Sequence, residues 1–82
     1  MDKTMRKEIE ILKVDGYTES EAEKALKMGT MVINSEDIND FLQEWNVNEE
    51  EPITLEAVRK GSVTDFELVN YNNDEYLIVV VR

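Results

Sequence analysis

The sequence predicts an α+β domain in which three to four short helices pack with a C-terminal antiparallel β-hairpin. Three observations predict it. Apolar residues recur at helical spacing through the first 45 residues. Glycines at Gly16 and Gly29 cut that half into helix-sized pieces. After Gly61 the period shifts towards two, and Asn72-Asn73-Asp74 separates two strand-like runs. Eighty-two residues make one domain. Its parts are a helical region (1–45), a loop with a short helix (46–61) and the hairpin (62–82).

Met5, Ile9 and Leu12 fall at i, i+4, i+7 with Ile11 beside them, which predicts a helix over Lys3 to Val14. Arg6 and Glu10, four apart, can pair on its outer face. Asp15-Gly16 stops it. The second helix opens on Thr18-Glu19-Ser20-Glu21, the spacing of a capping box, and ends at Gly29. Ala22, Ala25 and Leu26 give it a narrow apolar stripe, so the two helices should form a tight antiparallel hairpin. Thr30 to Ile33 reads as a short extended segment.

Ser35 is placed to cap a third helix, with Glu36 and Asp37 in its first turn. Ile38, Phe41, Leu42 and Trp45 then form the clearest helical stripe in the chain. Asn46 to Glu51 reads as a polar loop. Pro52 suits the first position of a short helix ending at Gly61, although Ile53-Thr54-Leu55 is also strand-like. Phe66 to Tyr71 and Glu75 to Val81 are the hairpin strands, the second covered on both faces. A hairpin alone is marginal in water, so it should pack on the helices, with Met31–Ile33 as a third strand. The expected core is Ile9, Leu12, Leu26, Ile38, Phe41, Leu42, Trp45, Leu68, Ile78 and Val80. Tyr71 and Tyr76 should pair across the strands.

Composition narrows the chemistry. There are no cysteines and no histidines, which excludes disulfides and thiolate metal sites and removes the usual general base. No phosphate loop, dinucleotide fingerprint or Ser/His/Asp set occurs, and the calcium-loop pattern is absent. The expectation is a protein that is not an enzyme, with no cofactor and no metal. The longest apolar run, Tyr76 to Val81, is far short of a membrane span. The charged N-terminus is not a signal peptide, so a cytoplasmic location is expected.

The net charge is −10, and it is unevenly spread. Met1 to Lys27 carries seven acids against six bases, whereas Met28 to Arg82 carries twelve acids against three. No Lys or Arg lies between Met28 and Val58. Such a surface repels nucleic acid and attracts basic partners. Glu36, Asp40 and Glu44 recur every four residues, with Asp37 adjacent and Glu49, Glu50 and Glu51 following. On one helix the first three would form a carboxylate row with steps of about 6 Å. The bland reading is a solvated, solubilising face. The functional reading is an acidic docking face for a basic, nucleic-acid-handling protein. The alternative function is an accessory module that binds through an apolar patch or a sheet edge. Monomer and homodimer both fit, since an open hairpin edge invites pairing.

Two resemblances add expectations. Ile11-Leu12-Lys13-Val14-Asp15-Gly16-Tyr17-Thr18-Glu19-Ser20-Glu21-Ala22-Glu23-Lys24-Ala25-Leu26 resembles the first two helices of ubiquitin-associated (UBA) domains, with Asp15 where that family has Met. The likeness implies a UBA-like helical N-terminal half. In that family the positions matching Gly16, Tyr17, Phe41 and Leu42 bind ubiquitin. The layout of the whole chain also resembles small acidic proteins of unknown function carried by bacterial phages and mobile elements. The matching residues are Gly16 to Glu19, Gly29-Thr30 and Thr64-Asp65-Phe66. That resemblance implies a setting in which acidic inhibitors of nucleic-acid enzymes are common.

Overall fold

The protein is described by a computed structural model over residues 6–81. The expected start of the first helix, Lys3 to Met5, lies outside the described residues. The order of elements is α1 (Arg6–Val14), α2 (Glu19–Lys27), β1 (Met31–Ile33), a 3-10 turn (Ser35–Asp37), α3 (Ile38–Trp45), α4 (Leu55–Arg59), β2 (Phe66–Tyr71) and β3 (Asp74–Val79). The fold is α+β, with four α-helices and a three-stranded antiparallel sheet among the described residues.

The strands lie in the order β1-β3-β2. β3 is central: Val79 pairs with both Met31 and Phe66, and Leu77 with both Ile33 and Leu68. Side chains alternate across a strand, so β3 feeds two cores. Tyr76 and Ile78 pack with Ile9, Ile11 and Leu12 of α1 and Ala22 of α2. Leu77 and Val79 pack with Ile38 and Leu42 of α3, Val58 of α4 and Phe66 of β2. The sheet is therefore a middle layer between two helix pairs. All four of those β3 residues are buried, which explains why the strand reads as an unbroken apolar run.

Local chemistry sets most of the boundaries. Gly16, at φ 106°, ends α1. Its N–H donates to the Lys13 carbonyl at 3.0 Å and that of Tyr17 to the Leu12 carbonyl at 3.1 Å, the paired bonds of a Schellman stop. The same pair of bonds closes α2 around Gly29 and α4 around Gly61. The capping box of α2 is complete: Thr18 Oγ1 accepts from the Glu21 N–H at 3.1 Å, and Glu21 Oε1 accepts from the Thr18 N–H at 2.9 Å. Asn72 and Asn73, at φ 53° and 70°, form the two-residue turn between β2 and β3. Asn tolerates this left-handed region, and such a turn matches the strand twist.

Several expectations need correction. Ser35 does not cap α3; it opens the 3-10 turn, and α3 begins three residues later with no side-chain cap bond. Pro52 lies outside α4. Thr54 is the cap instead, its Oγ1 accepting from the Ala57 N–H at 3.1 Å. Trp45 is not in the core; it is 41% exposed. Its indole sits edge-on over Phe66 at 5.4 Å and beside Phe41 at 5.7 Å, so it lies over the second core. Leu26, Phe41, Leu68 and Val80 are half-buried at the core margins, whereas Ile11, Val58, Phe66, Val69 and Leu77 are buried beyond the expected set. Tyr71 and Tyr76 do meet, at 6.3 Å, but diagonally: Tyr71 is opposite Asp74, and Tyr76 is opposite Val69.

Candidate functional site: the acidic surface of α3 and its loop

All seven carboxylates singled out from the sequence are exposed. Glu36 and Asp37 lie in the 3-10 turn, Asp40 and Glu44 on α3, and Glu49, Glu50 and Glu51 in the loop before α4. The expected row of three is broken. A 3-10 turn advances by a third of a circle per residue rather than 100°, so Glu36 is set off from the line of Asp40 and Glu44.

What unites the seven is that none has an ion-pair partner among the described residues. The described ion pairs all use other acids. Arg6 meets Glu10 and Glu19, each at 3.1 Å, and Lys13 meets the same two at 3.4 and 3.8 Å. Lys60 meets Glu56 at 3.2 Å. Arg59 forks onto both carboxylate oxygens of Glu75, one of them at 2.9 Å, tying α4 to β3. Arg59 and Lys60, the bases that follow the acidic stretch in sequence, are both held by acids outside it.

α3 is also the helix with the least local support. α1, α2 and α4 each carry a base in the last turn, which suits the negative end of the helix dipole. α3 has none, and Glu44 sits there. Neither end of α3 has a side-chain cap bond or a terminating glycine. Its stability comes from burying Ile38 and Leu42 under the sheet.

The loop after α3 is closed by a clasp that the sequence reading missed. Asn46 Nδ2 donates to the Ile53 carbonyl and Asn46 Oδ1 accepts from the Ile53 N–H, both at 2.8 Å. One amide side chain thus imitates a paired strand and pins both ends of the segment carrying Glu49 to Glu51. Asn next to a helix end, seven residues before an apolar residue, is too common a pattern to have signalled this.

A second acidic feature lies on the other side of the sheet. Asp15, Gly16, Tyr17, Glu21 and Glu67 line an open hollow of about 350 Å³ between the α1–α2 corner and β2. A protonated Glu67 donates a hydrogen bond to Asp15; that bond, desolvation and the Asp15 charge together push Glu67 up to about 7. Period-two alternation was the available signal. It puts Glu67 on the face of Val69 and Tyr71, towards α1 and α2. Among the described residues, no three carboxylates converge closely enough to hold a metal ion.

Gly16 and Tyr17 border the hollow, while Phe41 and Leu42 belong to the core on the opposite face. No helix among the described residues is long and apolar enough to cross a membrane. Set against protein-family models, curated proteins and solved structures, the chain matches none of them.

Proposed function

We propose that this chain is a non-enzymatic binding protein that engages a basic, nucleic-acid-handling protein through its acidic surface, Glu36 to Glu51. One observation carries the reading: among the described residues the seven exposed carboxylates have no ion-pair partner, and Arg59 and Lys60, which follow them in sequence, are held by Glu75 and Glu56. The unfavourable placing of Glu44 at the negative end of α3 adds to it. Natural proteins concentrate such local conflicts at functional sites. A basic groove that normally receives phosphates offers the missing counter-charge. The resemblance to small acidic phage and mobile-element proteins supplies a setting in which such a blocker is useful.

The test is affinity capture at about 0.1 M and about 0.5 M salt, across which the Debye length falls from about 10 Å to under about 5 Å. The wild type is expected to capture a basic nucleic-acid enzyme at low salt and to lose it at high salt. The Asp40→Asn, Glu44→Gln, Glu50→Gln variant should lose it at both. Retention of every interaction by that variant would overturn the proposal.

The alternative, docking through an apolar patch, is favoured by one observation: Trp45 and Val47 stand exposed within this same stretch of chain.

A further inference from the structure

β2 forms one edge of the sheet, since the strands lie in the order β1-β3-β2. Its backbone pattern follows from the hairpin. The two-residue turn at Asn72 and Asn73 makes Tyr71 and Asp74 a hydrogen-bonded pair. Alternation then gives Val69 with Tyr76 and Glu67 with Ile78. The series continues where the Val80 N–H donates to the Asp65 carbonyl at 2.8 Å. Phe66, Leu68 and Asn70 therefore turn their N–H and carbonyl groups outwards. Among the described residues no hydrogen bond reaches those groups. Exposed edges are usually blunted by Lys, Pro or a bulge. β2 reads Phe-Glu-Leu-Val-Asn-Tyr, and its register with β3 is unbroken over all six residues. The opposite edge, β1, is only three residues long.

The side chains beside this edge select what can pair with it. Glu67 is exposed and lines the hollow of about 350 Å³ together with Asp15 and Glu21. Among the described residues none of these three acids is in an ion pair. The hydrogen bond to Asp15, desolvation and the Asp15 charge hold Glu67 at about 7, so the pair retains a proton in place of a counter-ion. Val69, on the same face as Glu67, is buried. We propose that the β2 edge takes up an extended basic segment of another protein as a fourth strand, its backbone pairing with Leu68 and Asn70 and a Lys or Arg beside Glu67 reaching the hollow. In strand addition the unpaired backbone supplies affinity, and pockets for alternate side chains supply specificity. The incoming residue two positions from the base lies beside Val69, which favours a basic–any–apolar spacing. A second copy is a poor occupant, because its β2 brings another Glu67 and no base, and the chain carries −10. This docking is separate from that of the α3 surface, and each can fail without the other.

The probe is an alternating Lys/Val peptide of strand length. Its controls are a Glu/Val peptide and a Lys/Val peptide with every backbone amide N-methylated, which keeps the charge but cannot donate to a strand. At saturating Lys/Val peptide, hydrogen exchange at the Leu68 and Asn70 amides should slow by at least about tenfold. Neither control should protect them. Glu67→Gln should weaken the Lys/Val peptide about two- to fivefold. Gln keeps the size of Glu67 and still donates to Asp15, so this variant should keep its fold, checked by circular dichroism. Asp40→Asn removes the same charge on α3 and should leave the affinity unchanged. Failure of the Lys/Val peptide to bind, protection by the methylated peptide, or equal affinity of the two variants would overturn the proposal. Protection of Leu68 and Asn70 that grows with protein concentration in the absence of peptide would also overturn it, assigning the edge to a second copy.

Discussion

The α1–α2 pair on one face of the sheet and α3 on the other are built on different principles. On one face, α1 and α2 are locally self-sufficient. They carry a complete capping box, two Schellman stops, a base in each last turn, and a four-member ion cluster of Arg6, Glu10, Lys13 and Glu19. On the other face, α3 has the strongest apolar stripe but no cap bond and no base. Its charges are left for the solvent or for a partner. The contrast separates helices held by their own ends and charges from one held by the sheet beneath it. The α1–α2 face spends its charged residues on itself, whereas the α3 face keeps them exposed and relies on the sheet beneath.

The sheet supports both faces through alternate residues of one strand, and this is where the comparison can be broken most severely. Ile78→Ala empties a site under α1 and α2, and Leu77→Ala one under α3 and α4; both side chains are fully buried. Each should cost about 2–5 kcal/mol in urea unfolding. Comparable losses from the two would show that the cores unfold as one unit. If the Leu77→Ala protein unfolded in two steps, the faces would be separate units.

Asn46→Ala comes next. It leaves the N–H and carbonyl of Ile53 without partners in a half-buried setting, for an expected cost of about 1–3 kcal/mol. Hydrogen exchange at the Ile53 amide should speed up well beyond any change in α1.

The caps sharpen the contrast further. Thr18→Ala should cost about 1 kcal/mol, since it removes the capping box of α2. Ser35→Ala, at an exposed position with no cap bond, should stay within about 0.5 kcal/mol of the wild type. An equal loss in the two variants would mean that α3 is capped after all.

The hollow on the α1–α2 face is expected to respond to pH. Glu67 is raised to about 7 in the folded protein, against about 4.3 for an unfolded glutamate. Between these values the folded chain holds more protons. The hydrogen-bonded pair therefore contributes fully below about pH 4.3, and its contribution is lost as pH rises through about 7. Both groups reach solvent, so screening keeps the effect to about 1 kcal/mol or less. Urea midpoints at pH 5 and pH 8 should differ in the wild type, and Asp15→Asn should flatten the difference.

The smallest effect concerns the charges of α3. Glu44→Gln takes a carboxylate from the negative end of α3 and relieves a like-charge pair with Asp40, so it should stabilise the protein by about 0.2–0.5 kcal/mol. Arg6→Gln, which breaks the ion cluster of α1, should act in the opposite direction. A destabilising Glu44→Gln would mean that its carboxylate is satisfied within the protein.

Legibility followed the range of the interactions. The capping box at Thr18, the stop at Gly16, the extended Met31–Ile33 segment and a β3 covered on both faces were all readable, because each depends on a few neighbouring residues. The acidic surface was readable as composition, since its residues lie in one stretch of chain. Its geometry was less so: the 3-10 turn at Ser35 that displaces Glu36 replaces a plausible cap, and local propensity does not choose between the two. Trp45 completes an ideal helical stripe, yet its indole rests on Phe41 and Phe66 with its outer side left exposed. The clasp from Asn46 to Ile53, the fork from Arg59 to Glu75 and the Asp15–Glu67 pair join residues that sequence patterns leave unconnected.

By itself, the sequence determined the helix and strand types, most of their boundaries, and the separation of a charge-balanced half from an acidic one. Periodicity, capping and charge are properties of short stretches of chain, and they survive without a fold. The tertiary structure alone decided that β3 divides two cores, that Arg59 of α4 is held by Glu75 of β3, and that Trp45 reaches the surface. Those outcomes depend on which elements meet across the sheet, and burial and ion pairing have no fixed partner until they do.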